Sequence, residues 1–212
     1  MSRRVLIVTA VDAEADAIEK SPGMWVTTGG IGRTNAAAAT TAAILERGPF
    51  AWVVSAGVGG ALPGGNLSIG DVVVADRCVY AEEGLATPSG FQDMKEMGFS
   101  LGNFDGNVVP VDPAMLAWAA GHFSPVGIAT VATCSGTDEQ ASMVAARTGC
   151  ACEAMEGAAV VHAARRLGAA AIELRSISNT TGDRDAQEWD LSLALDRLGA
   201  AVTKMTGGLW SA

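Results

Sequence analysis

The chain has 212 residues, 49% hydrophobic and 17% charged, which supplies enough apolar mass for one well-buried core and argues for a single domain over residues 1–212 rather than two. A formal net charge of −9 leaves no basic stripe to neutralise a phosphate backbone, so nucleic-acid polymers and anionic membranes are disfavoured and a small molecule is the better partner. No apolar stretch reaches the roughly 18–20 uncharged residues that cross a bilayer, and Asp12, Glu14 and Asp16 interrupt the run after Arg3-Arg4 too early for a signal peptide, so a cytoplasmic protein is expected.

The continuous apolar run Val5–Thr9 suits a strand buried on both faces, and 12–18 reads as a short helix, which makes a strand-to-helix junction carrying acids. Residues 34–47 form a second helix that ends before Pro49. A short strand over 52–55 runs into Gly57-Val58-Gly59-Gly60, and another covers 72–75 and continues toward Tyr80. The stretch 82–107 mixes five glycines and Pro88 with scattered aromatics and reads as a long functional loop with a helical turn. A helix over 113–120, a strand over 126–132 and a helix from Asp138 to Arg147 follow. Then come a strand over 151–154, a helix over 157–167, a strand over 172–178 and an amphipathic terminal helix capped by Asp190 and running to about Met205. Strands and helices alternate throughout. The fold class expected is α/β, a three-layer α/β/α domain around a central mixed, mostly parallel sheet, with ligands collecting at strand C-terminal ends.

The polar residues expected just past those strands are few: Glu14, Gly57 to Gly60, Ser135-Gly136-Thr137, Glu156 and Ser178-Asn179. No Ser or Cys sits in a G-x-S-x-G elbow, and both histidines fall on helical segments, so a nucleophilic triad is not indicated. Gly30-x-Gly32 has Asn35 where a third glycine belongs, and Gly57-x-Gly59 has Leu62 there, so neither completes a dinucleotide fingerprint and no cofactor is expected. These glycines instead let a small ligand approach the backbone. Cys78, Cys134, Cys150 and Cys152 read as buried thiols, and with only His122 and His162 to complete a site no metal is expected. Glu156 opens an otherwise apolar helix, where a carboxylate can accept two hydrogen bonds from a vicinal diol such as a ribose, or can simply complement the helix dipole. Asn179 by residue type is equally a turn residue or a ligand contact.

Four strings occur in register: Ala10-Val11-Asp12-Ala13-Glu14; Val58-Gly59-Gly60-Ala61-Leu62 followed by Ile69-Gly70-Asp71-Val72-Val73-Val74; Ala154-Met155-Glu156-Gly157-Ala158-Ala159; and Arg175-Ser176-Ile177-Ser178-Asn179. In this order and over nearly the whole chain they resemble the nucleoside phosphorylase and methylthioadenosine nucleosidase superfamily. The segment Gly84 to Phe91, Met97-Gly98-Phe99 and the run from Asn179 to Arg184 resemble more narrowly the futalosine hydrolase family, whose members release hypoxanthine from futalosine in a menaquinone pathway. That resemblance implies a purine nucleoside substrate, water as second reactant, and a homodimer or larger homo-oligomer. It implies that Glu14 orients and deprotonates the attacking water, that Met155 packs under the ribose, that Glu156 accepts the ribose hydroxyls, and that Arg175 and Ser178 support the cluster.

Three departures sharpen the expectation. Adenine-selective relatives carry an aspartic acid where Asn179 stands, and an amide that donates toward N7 or O6 suits a 6-oxopurine. Val58 replaces a serine, and no phenylalanine follows Gly136 to stack on the base, which leaves Phe91, Phe99 and Phe104 as candidates. Where phosphorylases place a phosphate-binding motif after the first strand, this chain has Asp12 and Glu14, whose charges repel phosphate; Arg33 is either an anion contact or an exposed residue opening the second helix. The benzoate of futalosine needs a cation or amide, for which Arg77, Lys95 and Arg184 are candidates. The competing readings are a methylthioadenosine or adenosylhomocysteine nucleosidase, a phosphorylase, and a non-catalytic nucleoside sensor.

Overall fold

A computed structural model describes residues 4–211, with side chains up to residue 208; Met1 to Arg3 and Ala212, which the single-domain reading includes, lie outside the described residues. In chain order the strands are β1 (Val5–Thr9), β2 (Met24–Thr28), β3 (Trp52–Ala61), β4 (Val72–Tyr80), β5 (Gly84–Thr87), β6 (Gly90–Asp93), β7 (Val108–Pro110), β8 (Ser124–Thr130), β9 (Cys152–Ala154) and β10 (Ala170–Thr180). The helices are α1 (Asp12–Asp16), α2 (Arg33–Arg47), α3 (Pro113–Ala119), α4 (Asp138–Thr148), α5 (Gly157–Arg166) and α6 (Leu191–Ser211). The result is the expected α/β domain with a mixed, mostly parallel central sheet.

The sheet runs β10-β4-β8-β9-β3-β1-β2, and β10 also pairs with β3, so five strands close on one another while β1 and β2 extend from the ring. Its core strands are apolar on both faces, as β1 shows with all five residues buried, because α2 and α5 pack together on the sheet and α6 packs on it with α1 and α3. Gly199 of α6 lies so near α1 that a Cβ there would sit 2.1 Å from the Ala17 carbonyl oxygen. Among the described residues no helix is long and apolar enough to cross a membrane.

The structure differs from the sequence reading at definite points. The strand expected over 52–55 runs ten residues to Ala61, because β10 hydrogen-bonds the glycine segment along its whole length. The stretch 82–107 does contain a helical turn, with the Met97 N–H on the Asp93 carbonyl at 3.0 Å, but it is not otherwise an unpaired loop: it holds the β5–β6 hairpin, turned at Pro88-Ser89, where the Thr87 hydroxyl donates to the Gly90 carbonyl at 2.8 Å. β2 and β7 were not anticipated, and both lie at edges with only one partner strand each. His122 lies in the turn after α3 rather than on a helix, its N–H bonded to the Ala119 carbonyl. Asp190 does cap α6, accepting from the Leu193 N–H at 2.9 Å.

Candidate active site

Two irregularities in the sheet create the site. β1 pairs with β3 only as far as Ser55, and β9 joins the same edge only at Gly60. In the gap, the Val58 N–H has no strand partner and donates to Glu14 Oε1 at 2.9 Å. The other oxygen, Oε2, accepts from the N–H groups of Ala10 and Val11 at 2.8 and 3.3 Å. Three backbone donors therefore fix one buried carboxylate at the end of β1, which a strand-to-helix turn with Glu at its third helical position achieves. The second irregularity is a bulge in β10: Ile177 faces Gly59 and Asn179 faces Gly60, leaving Ser178 as the extra residue. A bulge breaks the alternation of side chains, and so the consecutive Ser178 and Asn179 both line the same cavity.

That cavity is about 530 Å³ in volume, within the range of small-molecule sites. It brings together Glu14, Val58, Gly59, Ser135, Gly136, Met155, Glu156, Ser178 and Asn179 as expected, and adds Ile31, Glu153, Arg184 and Trp189. Gly57, Arg175 and Thr137 are not on its wall. Thr137 caps α4, its hydroxyl accepting from the Gln140 N–H at 3.1 Å. Gly57 and Arg175 lie behind the wall, where a Cβ on Gly57 would stand 2.3 Å from Arg175 Nη1 and 2.5 Å from Glu14 Oε1. The glycine is needed for that close approach.

Glu156 stands at the N-terminus of α5 but does not cap it. The Thr130 hydroxyl does so instead, accepting from the Ala158 N–H at 2.8 Å. This leaves the Glu156 carboxylate to accept from the Gly32 N–H at 3.0 Å and to meet Arg175 Nη2 at 3.4 Å. Arg175, 1% exposed, donates from Nε to Glu173 at 2.8 Å and from Nη2 to the Ser55 hydroxyl at 3.2 Å. Burial opposes its charge, but Glu173, Glu156 and Glu14 together raise its pKa above the ordinary value. Glu173 is raised by burial, an effect that Arg175 counters.

On β10 opposite Gly60, Asn179 has its amide oriented by two contacts. Ser178 Oγ lies 2.8 Å from Oδ1, and Nδ2 donates to the Thr180 carbonyl at 2.8 Å, leaving its second N–H free to face a ligand. Glu153 was not singled out by the sequence reading, although an acid between Cys152 and Ala154 in a short buried strand is a usable signal. It accepts from the Ser135 N–H at 2.8 Å and from the Ser135 hydroxyl at 2.6 Å. Burial raises its pKa, opposed by those two bonds.

The aromatic on the wall is Trp189, not one of the three phenylalanines. Phe91 lies beneath the Arg147 guanidinium, Phe104 packs edge-on against His162, and Phe99 is 61% exposed. Trp189 Nε1 donates to Gln187 Oε1 at 3.0 Å, and the Arg184 guanidinium sits 4.8 Å above its ring. Gln187 in turn donates to the Ser135 and Gly182 carbonyls at 2.9 and 2.8 Å, docking this loop on residues 134–137. Of the three cations considered for a carboxylate, Arg184 reaches the cavity wall, whereas Arg77 pairs with Asp76 and Lys95 with Asp105. Arg33 pairs with Glu82 and Glu83. Cys134, expected to be buried, is exposed and lines the cavity, while Cys78, Cys150 and Cys152 are buried.

A family model described as phosphorylase superfamily matches residues 18–209. A futalosine hydrolase of Streptomyces coelicolor is 35% identical over 95% of this chain and 94% of its own. One from Acidothermus cellulolyticus is 37% identical over 99% and 93%. Among solved structures, a methylthioadenosine/adenosylhomocysteine nucleosidase from Colwellia psychrerythraea, crystallised with adenine, superposes with a TM-score of 0.79 at 21% identity, covering 99% of this chain and 96% of that one.

Proposed function

The chain belongs to the phosphorylase superfamily and within it to the futalosine hydrolase family, and from that premise we propose how its site works. The chain is an N-glycosyl hydrolase that splits futalosine with water into hypoxanthine and dehypoxanthine futalosine, a step of menaquinone biosynthesis. The observation that carries the reading is the placement of two carboxylates at one end of the cavity, Glu14 and Glu156, with an oriented amide, Asn179, also on its wall.

In this reading Glu156 accepts the ribose hydroxyls over Met155, and Glu14 takes a proton from water as it attacks the anomeric carbon. As the bond to the base breaks the sugar becomes oxocarbenium-like, and both carboxylates favour its positive charge. The free N–H of Asn179 donates to the departing purine, whose electron pair must be accepted as the bond cleaves. Arg175 and Ser178 hold Glu156 and Asn179 in place, Gly59, Ser135 and Gly136 give the ligand close access to backbone, and Gly57 leaves room behind the wall for Arg175 and Glu14. Phosphate is a poor second reactant here, because Arg33 is already paired with two carboxylates and Glu14 occupies the site of attack. The active unit is a homodimer or larger homo-oligomer, a reading supported by the exposed apolar Leu85 and Phe99 on the 82–107 segment.

Purified protein incubated with futalosine, inosine and methylthioadenosine, with and without phosphate, tests all of this. Free hypoxanthine from futalosine independent of phosphate is expected. Adenine release without hypoxanthine release, a phosphate requirement, or binding without turnover overturns it in favour of the adenine nucleosidase, the phosphorylase or the sensor.

A further inference from the structure

Gly60 is the cross-strand partner of two cavity residues at once, Asn179 on β10 and Glu153 on β9. A Cβ on Gly60 would stand 2.8 Å from Thr181 Cγ2, 3.2 Å from Asn179 Nδ2 and 3.6 Å from Glu153 Cγ, so the missing side chain lets Asn179 and Glu153 approach each other over Gly60 with the Thr181 methyl between them. What each presents there follows from the bonds already made. The Asn179 carbonyl accepts from Ser178 and one amide hydrogen goes to the Thr180 carbonyl, which turns the second amide hydrogen out as a donor. Glu153 has drawn in both donors of Ser135, one on each oxygen, and each oxygen keeps a lone pair, leaving acceptors. Side by side the base end of the cavity offers one donor and one acceptor.

A 6-oxopurine displays the complement on adjacent ring positions, O6 as acceptor and N1–H as donor, whereas a 6-aminopurine displays an amine donor beside a bare N1 acceptor. We propose that Glu153 is a specificity-determining residue that accepts a hydrogen bond from N1–H of a 6-oxopurine while Asn179 donates to the same base. This rests on the hypoxanthine-releasing reading and adds a second, independent contact to it. The location favours it: Glu153 is 5% exposed and lines the cavity, and a buried carboxylate that gains an N–H donor recovers part of its desolvation cost.

The test is binding of free bases by calorimetry, using hypoxanthine, 1-methylhypoxanthine and adenine, which does not depend on turnover. Wild-type protein should bind 1-methylhypoxanthine ~10–100-fold more weakly than hypoxanthine, the loss expected for a hydrogen bond to a buried charged group. Glu153→Gln keeps both Ser135 contacts by reversing the hydroxyl but presents an amide N–H toward N1. It should weaken hypoxanthine ~10-fold or more, shrink the 1-methyl penalty to a few-fold and improve adenine relative to hypoxanthine. Equal wild-type binding of hypoxanthine and 1-methylhypoxanthine overturns the proposal without any variant, as does an unchanged 1-methyl penalty in Glu153→Gln. Failure of the wild type to release hypoxanthine from futalosine would instead overturn the catalytic reading, so the two failures are distinguishable.

Discussion

The Glu156 carboxylate meets the guanidinium of Arg175 at 3.4 Å, and Arg175 is itself anchored from behind by Glu173 at 2.8 Å. A buried cation thus links a residue of the cavity wall to the centre of the sheet. Replacing it strands two carboxylates, one of them wholly buried. Arg175→Met should cost about 3–5 kcal/mol, the range for removing one partner of a buried ion pair. Urea denaturation of the variant measures it. A loss under 1 kcal/mol would show that Glu173 and Glu156 do not depend on this cation.

Glu14 is held by three backbone N–H groups, so its contribution to catalysis can be separated from its contribution to structure. Glu14→Gln retains an oxygen for part of that cradle but lacks a base. kcat should fall ~10²–10⁴-fold, the usual share of a positioned general base, with KM little changed and stability lower by about 1–3 kcal/mol, because the new amide NH2 faces at least one backbone N–H. A variant retaining wild-type kcat would remove Glu14 from the water-activating role.

Gly57 connects these two centres, since one added methyl group collides with both. Gly57→Ala should lower stability by about 1–3 kcal/mol through overpacking. It should also reduce kcat ~10²-fold by displacing Glu14, because errors of about 1 Å at a reacting group have that effect. Gly121→Ala, away from the cavity, is the control, as a Cβ there meets only the Trp118 carbonyl oxygen at an ordinary 3.4 Å. Similar losses in both variants would point to a general backbone effect instead.

Much of this architecture was legible in the sequence, and the failures have physical causes. Runs such as Val5–Thr9 and the alternation of strands with helices sufficed for the α/β class. β3 extends past the expected end because, although the three glycines among residues 57–60 disfavour a strand locally, β10 holds the segment extended from outside, a tertiary effect that no local pattern encodes. The β5–β6 hairpin was missed although Pro88-Ser89-Gly90 is turn chemistry, because its strands are short and half polar. Glu14, Glu156 and Asn179 were found through four motif strings rather than through residue type alone. Ser178 and Asn179 line the cavity together only because of a bulge. Glu153 and Trp189 lay outside every motif, and only the packing of β9 and of the 180–190 segment brings them to the wall.

His162 gives the molecule a pH signature unrelated to catalysis. Its Nδ1 lies 3.3 Å from the Tyr80 hydroxyl and Phe104 packs edge-on against the ring, while Nε2 is buried without a partner among the described residues. Burial, then the charges of Arg166 and Arg165, push its pKa below the ordinary 6.5. The unfolded chain therefore binds the proton more readily than the native one. Stability is full well above about pH 6.5 and is lost as pH falls through that value toward the folded pKa. Denaturation midpoints measured from about pH 8 down to about pH 5 should fall for wild type and fall less for His162→Gln. An identical pH slope for the two proteins would remove His162 as the cause.

Arg184 and Trp189 frame the mouth of the cavity, the cation stacked on the indole and both tied to Gln187. Futalosine differs from inosine by the benzoate-bearing extension on its sugar, and Arg184 is an exposed cation on the cavity wall. An exposed charge pair contributes ~0.2–1 kcal/mol, so Arg184→Gln should raise KM for futalosine about 2–5-fold and leave that for inosine unchanged. Trp189→Ala removes a flat surface that either the base or the benzoate can cover, worth ~0.5–1.5 kcal/mol for an aromatic pair. If the indole stacks on the base, both substrates weaken together by about 2–10-fold; if it stacks on the benzoate, futalosine alone weakens. Steady-state kinetics on the two substrates with each variant decides between them. An Arg184→Gln enzyme that loses inosine and futalosine equally would move the benzoate elsewhere and make Arg184 a support for the 180–190 loop.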